Sequence, residues 1–194
     1  MNKLSQEQIH IFLEKYRQTV AVPYPKGRQI LLCPIGLVGA GKTTVMKPLA
    51  ERLGLVRISG DEIRKMLKEN GFINNRVDEI AFPVIESFLK EGYGVAVDSD
   101  CIAKREKIEK KASELNIPIV WIHIAPPEEF IINKLKNYPH SWLFKNADEA
   151  IKNYESRKPL HTKLDFNFVY TFDPSRPDIN DQIDKAAEII RNLP

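Results

Sequence analysis

Cysteine is scarce: among 194 residues there are only Cys33 and Cys101. Two cysteines that lie in, or just after, apolar segments form neither a disulfide framework nor a metal site of the usual spacing, so both read as buried thiols and no disulfide partner is expected. An excess of charge of one sign is missing as well. The formal net charge is +3 with acids and bases interspersed, which neither demands nor forbids a nucleic-acid partner. No apolar run approaches the length of a membrane span, and the N-terminal residues lead into a mixed polar segment without the apolar core of a signal peptide. A cytoplasmic protein with no membrane partner is the resulting expectation. There is no internal repeat and no low-complexity tract. The chain is 43% hydrophobic, enough for one sizeable core in a single domain.

The most informative stretch runs from Gln29 to Leu53. Ile30 to Ile35 is a short apolar strand, and Gly36-Leu37-Val38-Gly39-Ala40-Gly41-Lys42-Thr43-Thr44 then fits the Walker A phosphate loop, G-x-x-x-x-G-K-[ST]. Glycines suit such a loop because its backbone N–H groups turn inward around phosphate oxygens, where Cβ atoms would obstruct both the turn and the approach. Val45, Met46, Leu49, Ala50 and Leu53 recur at helical spacing, and Gly54 ends the pattern. That helix aims its N-terminus at the same anion. Lys42 is the expected partner of the β- and γ-phosphates of ATP, and Thr43 of Mg²⁺.

Upstream, Ser5-Gln6-Glu7-Gln8 has the form of a capping box, and Ile9, Phe12, Leu13 and Tyr16 predict a helix to about Arg17. Two prolines in Val22–Gly27 then hold a linker extended, so residues 1–28 form a helix and linker ahead of a domain over 29–194. The helix packs on the outside of the domain or serves as a partner-binding arm. Downstream, Leu55–Ile58, Val95–Asp98, Pro118–Ile124 and Phe168–Phe172 read as strands. Helical patterns lie between them, at Ile63–Leu67, Val77–Leu89, Ala103–Leu115 and from Pro126 on, and a last helix covers about Asp178 to Asn192. Pro83 predicts a kink or a break in the second of these. Strands alternating with helices point to an α/β fold with a parallel sheet covered on both faces. The moderately basic stretch from Phe130 to Phe166 exceeds one crossover helix and could close over phosphates as a lid, at about 133–165.

On these motifs the chain resembles the P-loop kinases of the branch that holds polynucleotide 5'-kinases and zeta-toxin-type kinases. The resemblance covers roughly Gln29 to Arg191 and rests on the loop, on Ile58-Ser59-Gly60-Asp61-Glu62-Ile63-Arg64, and on Val95-Ala96-Val97-Asp98-Ser99-Asp100. It implies a three-layer sandwich with a five-stranded parallel sheet in the order 2-3-1-4-5 and a helical lid. It also implies ATP with Mg²⁺, and transfer of the γ-phosphoryl group to a hydroxyl of a small molecule or a polynucleotide 5'-end. By the same resemblance, Asp61 activates the acceptor and Arg64 holds it. Residues i and i+3 share a helix face, so both would look into the cleft beside the loop. A capping and surface-pairing role for Ser59, Glu62, Asp61 and Arg64 competes with that reading.

Asp98 is the expected Walker B acid; the family often has D-x-T-N where this chain has Asp98-Ser99-Asp100-Cys101, which makes Asp100 a second candidate. Such kinases carry lid arginines after the fourth strand, where this chain has Lys134 and Lys136. Arg157 is therefore the expected transition-state cation, since lysine lacks the planar, bidentate fork of arginine. Arg176, in the Asp173–Pro177 loop, could stack on adenine. Asn74, Asn75 and Arg76 are candidate acceptor contacts, Arg105 reads as part of a solvated face, His123 as a hydrogen-bonded core residue, and Trp142-Leu143-Phe144 as lid packing. His140 and His161 flank the lid without a known arrangement. A nucleotide switch or ATPase module is the alternative function. Against a guanine switch, Asn133-Lys134-Leu135-Lys136 lacks the acid of N-K-x-D and Asp98–Cys101 lacks the glycine of D-x-x-G. The identity of the acceptor and the oligomeric state are not written in the sequence.

Overall fold

The computed structural model describes residues 4–72, 76–137 and 143–194. Five strands, β1 (Leu31–Ile35), β2 (Val56–Ser59), β3 (Val95–Asp98), β4 (Ile119–Ile124) and β5 (Phe168–Phe172), form one sheet in the order β2-β3-β1-β4-β5. Every pairing is parallel. β1 and β3 are buried along their whole length, as strands covered on both faces must be, which is why they read as unbroken apolar runs.

Among the described residues eight α-helices cover the sheet: α1 (Gln6–Thr19), α2 (Lys42–Leu53), α3 (Gly60–Glu69), α4 (Val77–Lys90), α5 (Arg105–Leu115), α6 (Glu128–Asn137), α7 (Ala147–Arg157) and α8 (Ile179–Arg191). Two apolar layers result. One gathers side chains of α1, α3, α4 and α5, the other those of α2, α6, α7 and α8. This is the three-layer P-loop fold in the strand order that the resemblance implied.

α1 begins with the expected capping box: Gln8 N–H donates to Ser5 Oγ at 3.2 Å, and Ser5 N–H to Gln8 Oε1 at 2.9 Å. It buries Ile9, Phe12 and Tyr16 in the first layer against α3 and α4, so it belongs to the core of the domain. The Tyr16 hydroxyl accepts from Ser59 N–H at 2.8 Å and donates to Ser59 O at 3.4 Å, completing the backbone at the end of the edge strand β2. Burial pushes the Tyr16 phenol above its ordinary range. The kink or break expected at Pro83 does not divide α4, which runs through it to Lys90. Pro83 lies on the exposed side of the helix, where the carbonyl left without its intrahelical donor can reach water.

Candidate functional site

The phosphate loop sits between the C-terminal end of β1 and α2. Gly39 and Gly41 have φ of +80° and +94°, which residues with a Cβ rarely adopt. The packing leaves little room for a side chain there as well. A Cβ on Gly39 would lie 3.0 Å from Leu135 and 3.1 Å from Ile131 of α6, and one on Gly41 would lie 3.1 Å from Pro174. Two segments distant in sequence, α6 and the Asp173–Pro177 loop, therefore close directly on the loop backbone. α2 starts at Gly41 with no side-chain cap, so its first N–H groups remain available to an anion.

The Lys42 ammonium donates to Gly36 O at 2.9 Å and Leu37 O at 2.8 Å. Burial lowers its pKa, while the carboxylates of Asp100, Asp61 and Asp98 pull it back up. Those three acids are the electrostatic surroundings of the loop lysine. In β2 and β3, Ser59 and Asp98 are register partners, so both strands end at the same level beside the loop. β2 passes into α3 without a connecting loop. Ser59 keeps an extended backbone while its hydroxyl accepts from Glu62 N–H at 3.4 Å, turning the chain into a helix whose second residue is Asp61.

Asp98 is buried; Thr43 Oγ1 donates to its Oδ1 at 3.2 Å, and Arg57 Nη1 to its Oδ2 at 2.6 Å. Arg57 also pairs with Glu62. Burial raises the pKa of Asp98, and Arg57, Thr43 and Lys42 oppose that rise. Asp100 is engaged differently. Its Oδ1 accepts from Gly36 N–H at 3.2 Å, and its Oδ2 lies 3.2 Å from His161 Nε2. Burial would raise its pKa, but His161, the Lys42 charge and Gly36 N–H outweigh this and hold it below the usual carboxylate value.

Asp61 pairs with Arg64 at 2.5 Å, and both side chains are partly exposed. The helix-face geometry expected of them is present, and in this state the arginine is engaged with the aspartate. Arg76 is engaged elsewhere: its guanidinium holds Glu79 and the carbonyl of Leu4, tying the start of α4 to the N-terminal segment, and among the described residues no contact joins it to the loop. Arg157 ends α7 on an exposed face, likewise without a contact to the loop among the described residues. Among the described residues Lys134 is the lid cation that comes near. Its Nζ lies 3.9 Å from the Cβ position of Gly41, and burial lowers its pKa. The reason is local to α6, whose Ile131 and Leu135 seat the helix on the loop and carry Lys134 with them.

Arg176 is 61% exposed and pairs with Asp178 at 2.7 Å, next to the Pro174 that touches Gly41. Arg105, on the solvated face expected of it, lies over the Phe166 ring at 4.4 Å and donates to Asp165 O at 2.6 Å. His123 stacks on Phe168 at 4.8 Å, and no hydrogen bond of its ring is found among the described residues. Phe144 packs against the second apolar layer. Asn74, Asn75, His140 and Trp142 lie outside the described residues. Arg57, Lys134 and the His161–Asp100 contact are the features that sequence reasoning passed over. A period-2 reading of β2 puts Arg57 on the face opposite Val56 and Ile58, a charged residue among apolar neighbours, and that was the available signal.

Among the described residues no cluster of three or more His, Cys, Asp or Glu could form an all-protein metal cage. The hard oxygen donors Thr43 Oγ1 and Asp98 Oδ1 suit Mg²⁺, which is commonly held by one or two protein oxygens together with substrate phosphates. No helix of the described residues is long and apolar enough to cross a membrane.

The fold and the loop define a P-loop nucleoside-triphosphate-binding protein of the kinase type. The chain belongs to the AAA domain family, which matches residues 31–150. Shikimate kinase of Dehalococcoides mccartyi is 27% identical over 169 residues, covering 81% of this chain and 93% of that protein. Shikimate kinase of Persephonella marina is 26% identical over 148 residues, covering 68% and 83%. In fold, the chain is similar to the APS kinase of Mycobacterium tuberculosis solved with AMPPNP and APS (TM-score 0.57, 15% identity, 86% of this chain and 99% of that one). It is also similar to a gluconokinase from Sinorhizobium meliloti (TM-score 0.53, 17% identity, 84% and 94%). Family, relatives and fold together support an ATP-dependent phosphotransferase in general.

Proposed function

We propose that the chain is a kinase that passes the γ-phosphoryl group of ATP, with Mg²⁺, to a hydroxyl group of a small molecule. The observation that carries this reading is the position of Asp61: a partly exposed carboxylate at the start of α3, close enough to act on the charge of Lys42. A nucleotide switch has no use for a second carboxylate there, whereas an acceptor hydroxyl does.

The backbone of Gly36 to Thr44 wraps the donor phosphates, and Lys42 exchanges its two loop carbonyls for phosphate oxygens. Thr43 and Asp98 supply the oxygens for Mg²⁺, which when bound neutralises charge on the phosphates. Asp61 orients the acceptor hydroxyl and accepts its proton as the new O–P bond forms and the bond to the ADP oxygen breaks. Arg64 leaves Asp61 to hold the acceptor. Lys134, in place of Arg157, stabilises charge on the group in flight. The Asp173–Pro177 loop with Arg176 borders the nucleotide. In this reading residues 29–194 are the kinase domain, the segment at about 133–165 is its lid, and α1 is an integral brace. A small-molecule acceptor is preferred to a polynucleotide 5'-end because the similar kinases are named for small molecules.

Single-turnover transfer from γ-labelled ATP, against shikimate, gluconate and a 5'-hydroxyl oligonucleotide, tests the proposal. Label is expected on a small alcohol, and Asp61→Asn is expected to slow transfer by about 10²–10⁴-fold with ADP binding unchanged. Full transfer by Asp61→Asn overturns the role of Asp61. Labelling of the oligonucleotide alone overturns the acceptor class, and ATP binding with no acceptor labelled overturns the kinase reading.

A further inference from the structure

Asp98 and Asp100 are the two acids that the sequence offers for the metal, and they differ in what they hold: Asp98 meets Thr43 and Arg57, Asp100 the loop backbone and a histidine. Asp100 Oδ1 accepts from the N–H of Gly36, the first residue of the phosphate loop, and Oδ2 meets His161 Nε2, each at 3.2 Å. His161 lies in the 3₁₀ turn Lys158–His161 directly after α7, and its side chain is only 7% exposed. A carboxylate that is ionised can only accept, so Nε2 must be the protonated nitrogen of the ring. The hydrogen bonds therefore run in one direction, from His161 and from Gly36 N–H onto the same carboxylate. Thr43, by contrast, meets Asp98.

We propose that His161 is a positioning residue: through Asp100 it fixes the first backbone N–H of the phosphate loop and ties the lid segment to the loop. Asp100 is then the loop's anchor, which leaves Asp98 as the acid beside Thr43. The two contacts span 64 and 61 residues, so neither is a local turn preference. The surroundings agree with a fixed ring. His123 of the neighbouring strand β4 is itself held flat against Phe168. The chain thus gains a mechanical link between the segment that covers the site and the loop that grips the donor. If the link is broken, Gly36 N–H has no fixed acceptor and the entry to the loop loses its preorganisation, which weakens donor binding before it affects the acceptor.

The inference rests on the proposal that the loop binds a nucleotide, and a fluorescent ADP derivative (mant-ADP) tests the two separately. Wild-type protein is expected to bind it saturably; failure to bind overturns the nucleotide reading itself. His161→Ala and Asp100→Ala are each expected to weaken binding about tenfold and to raise KM for ATP more than KM for the acceptor. The double variant is expected to be no weaker than either single one, as two members of one link must be. His161→Gln, whose amide can still donate to Asp100, is expected to recover most of the affinity. Binding by His161→Ala within twofold of wild type, or losses that multiply in the double variant, overturns the link. If His161→Ala does not fold, His161→Gln decides in its place: affinity no better than that of Asp100→Ala overturns the proposal.

Discussion

Replacement of Lys134 by methionine separates two cations that sequence spacing left as rivals. Methionine keeps about the length and the apolar character of the lysine stem and removes the charge, together with its contact over the Phe130 ring. The ammonium lies 3.9 Å from the Cβ position of Gly41, at the end of the loop where a phosphoryl group would be held. A unit charge about 5 Å from a phosphate oxygen, at an effective dielectric constant of about 20, contributes roughly 3 kcal/mol. Part of that is recovered by water and by neighbouring donors, so a loss of about 2–3 kcal/mol is expected, close to a hundredfold in kcat/KM. Arg157→Ala, which removes an exposed cation with no contact to the loop, is expected to stay within about threefold of wild type. Steady-state kinetics on the acceptor identified by the transfer assay, with thermal midpoints as a control for folding, give the answer. A Lys134→Met enzyme within fivefold of wild type, alongside an Arg157→Ala enzyme that loses a hundredfold, would refute the reasoning and restore Arg157 to the lid role.

Two further predictions concern the frame around the site. Tyr16→Phe strips the hydroxyl from the buried Ser59 backbone and leaves its N–H without a partner, at a cost of about 2 kcal/mol; in a domain of this size that lowers the thermal midpoint by roughly 4–8 °C. A shift under about 1 °C would show that water replaces the hydroxyl. Glu86 pairs with Lys90 of its own helix at 2.7 Å and with Lys111 of α5 at 3.3 Å, and these partners hold its pKa below the ordinary value. A depressed carboxylate adds stability above its unfolded pKa and loses it as pH falls through the folded one. Glu86→Gln should therefore destabilise by up to about 1 kcal/mol at pH 7, and the difference should close at the acid end of a denaturation series, below about pH 4. A difference that persists at acid pH points to packing instead of charge.

Legibility in the sequence tracked the span of the interaction. The phosphate loop, the α1 capping box and the Asp61–Arg64 spacing each lie within a few residues, and the propensities and motifs that form them can be read directly from the chain. The buried strands were legible for a related reason: a parallel strand covered on both faces must be apolar throughout, as β1 and β3 are. Of the kink or break expected at Pro83, the break does not occur, because the cost of the proline depends on which side of α4 it occupies. A periodic pattern gives the buried face, but here it did not decide whether the freed carbonyl is hydrated.

The contacts that shape the candidate site are of another kind. Arg57 reaches Asp98 across 41 residues and His161 reaches Asp100 across 61, while Lys134 stands at the loop only because Ile131 and Leu135 dock α6 on Gly39. Each follows from strand register and crossover packing, which no single segment encodes. The expectation for Arg157 compares guanidinium with ammonium chemistry, whereas in the structure the two residues differ in position. Chemistry can rank two residues only once both are known to reach the same atom. Among the described residues α6, and not α7, brings a cation to the loop, and that placement is why the lid role is proposed for the lysine ahead of the arginine.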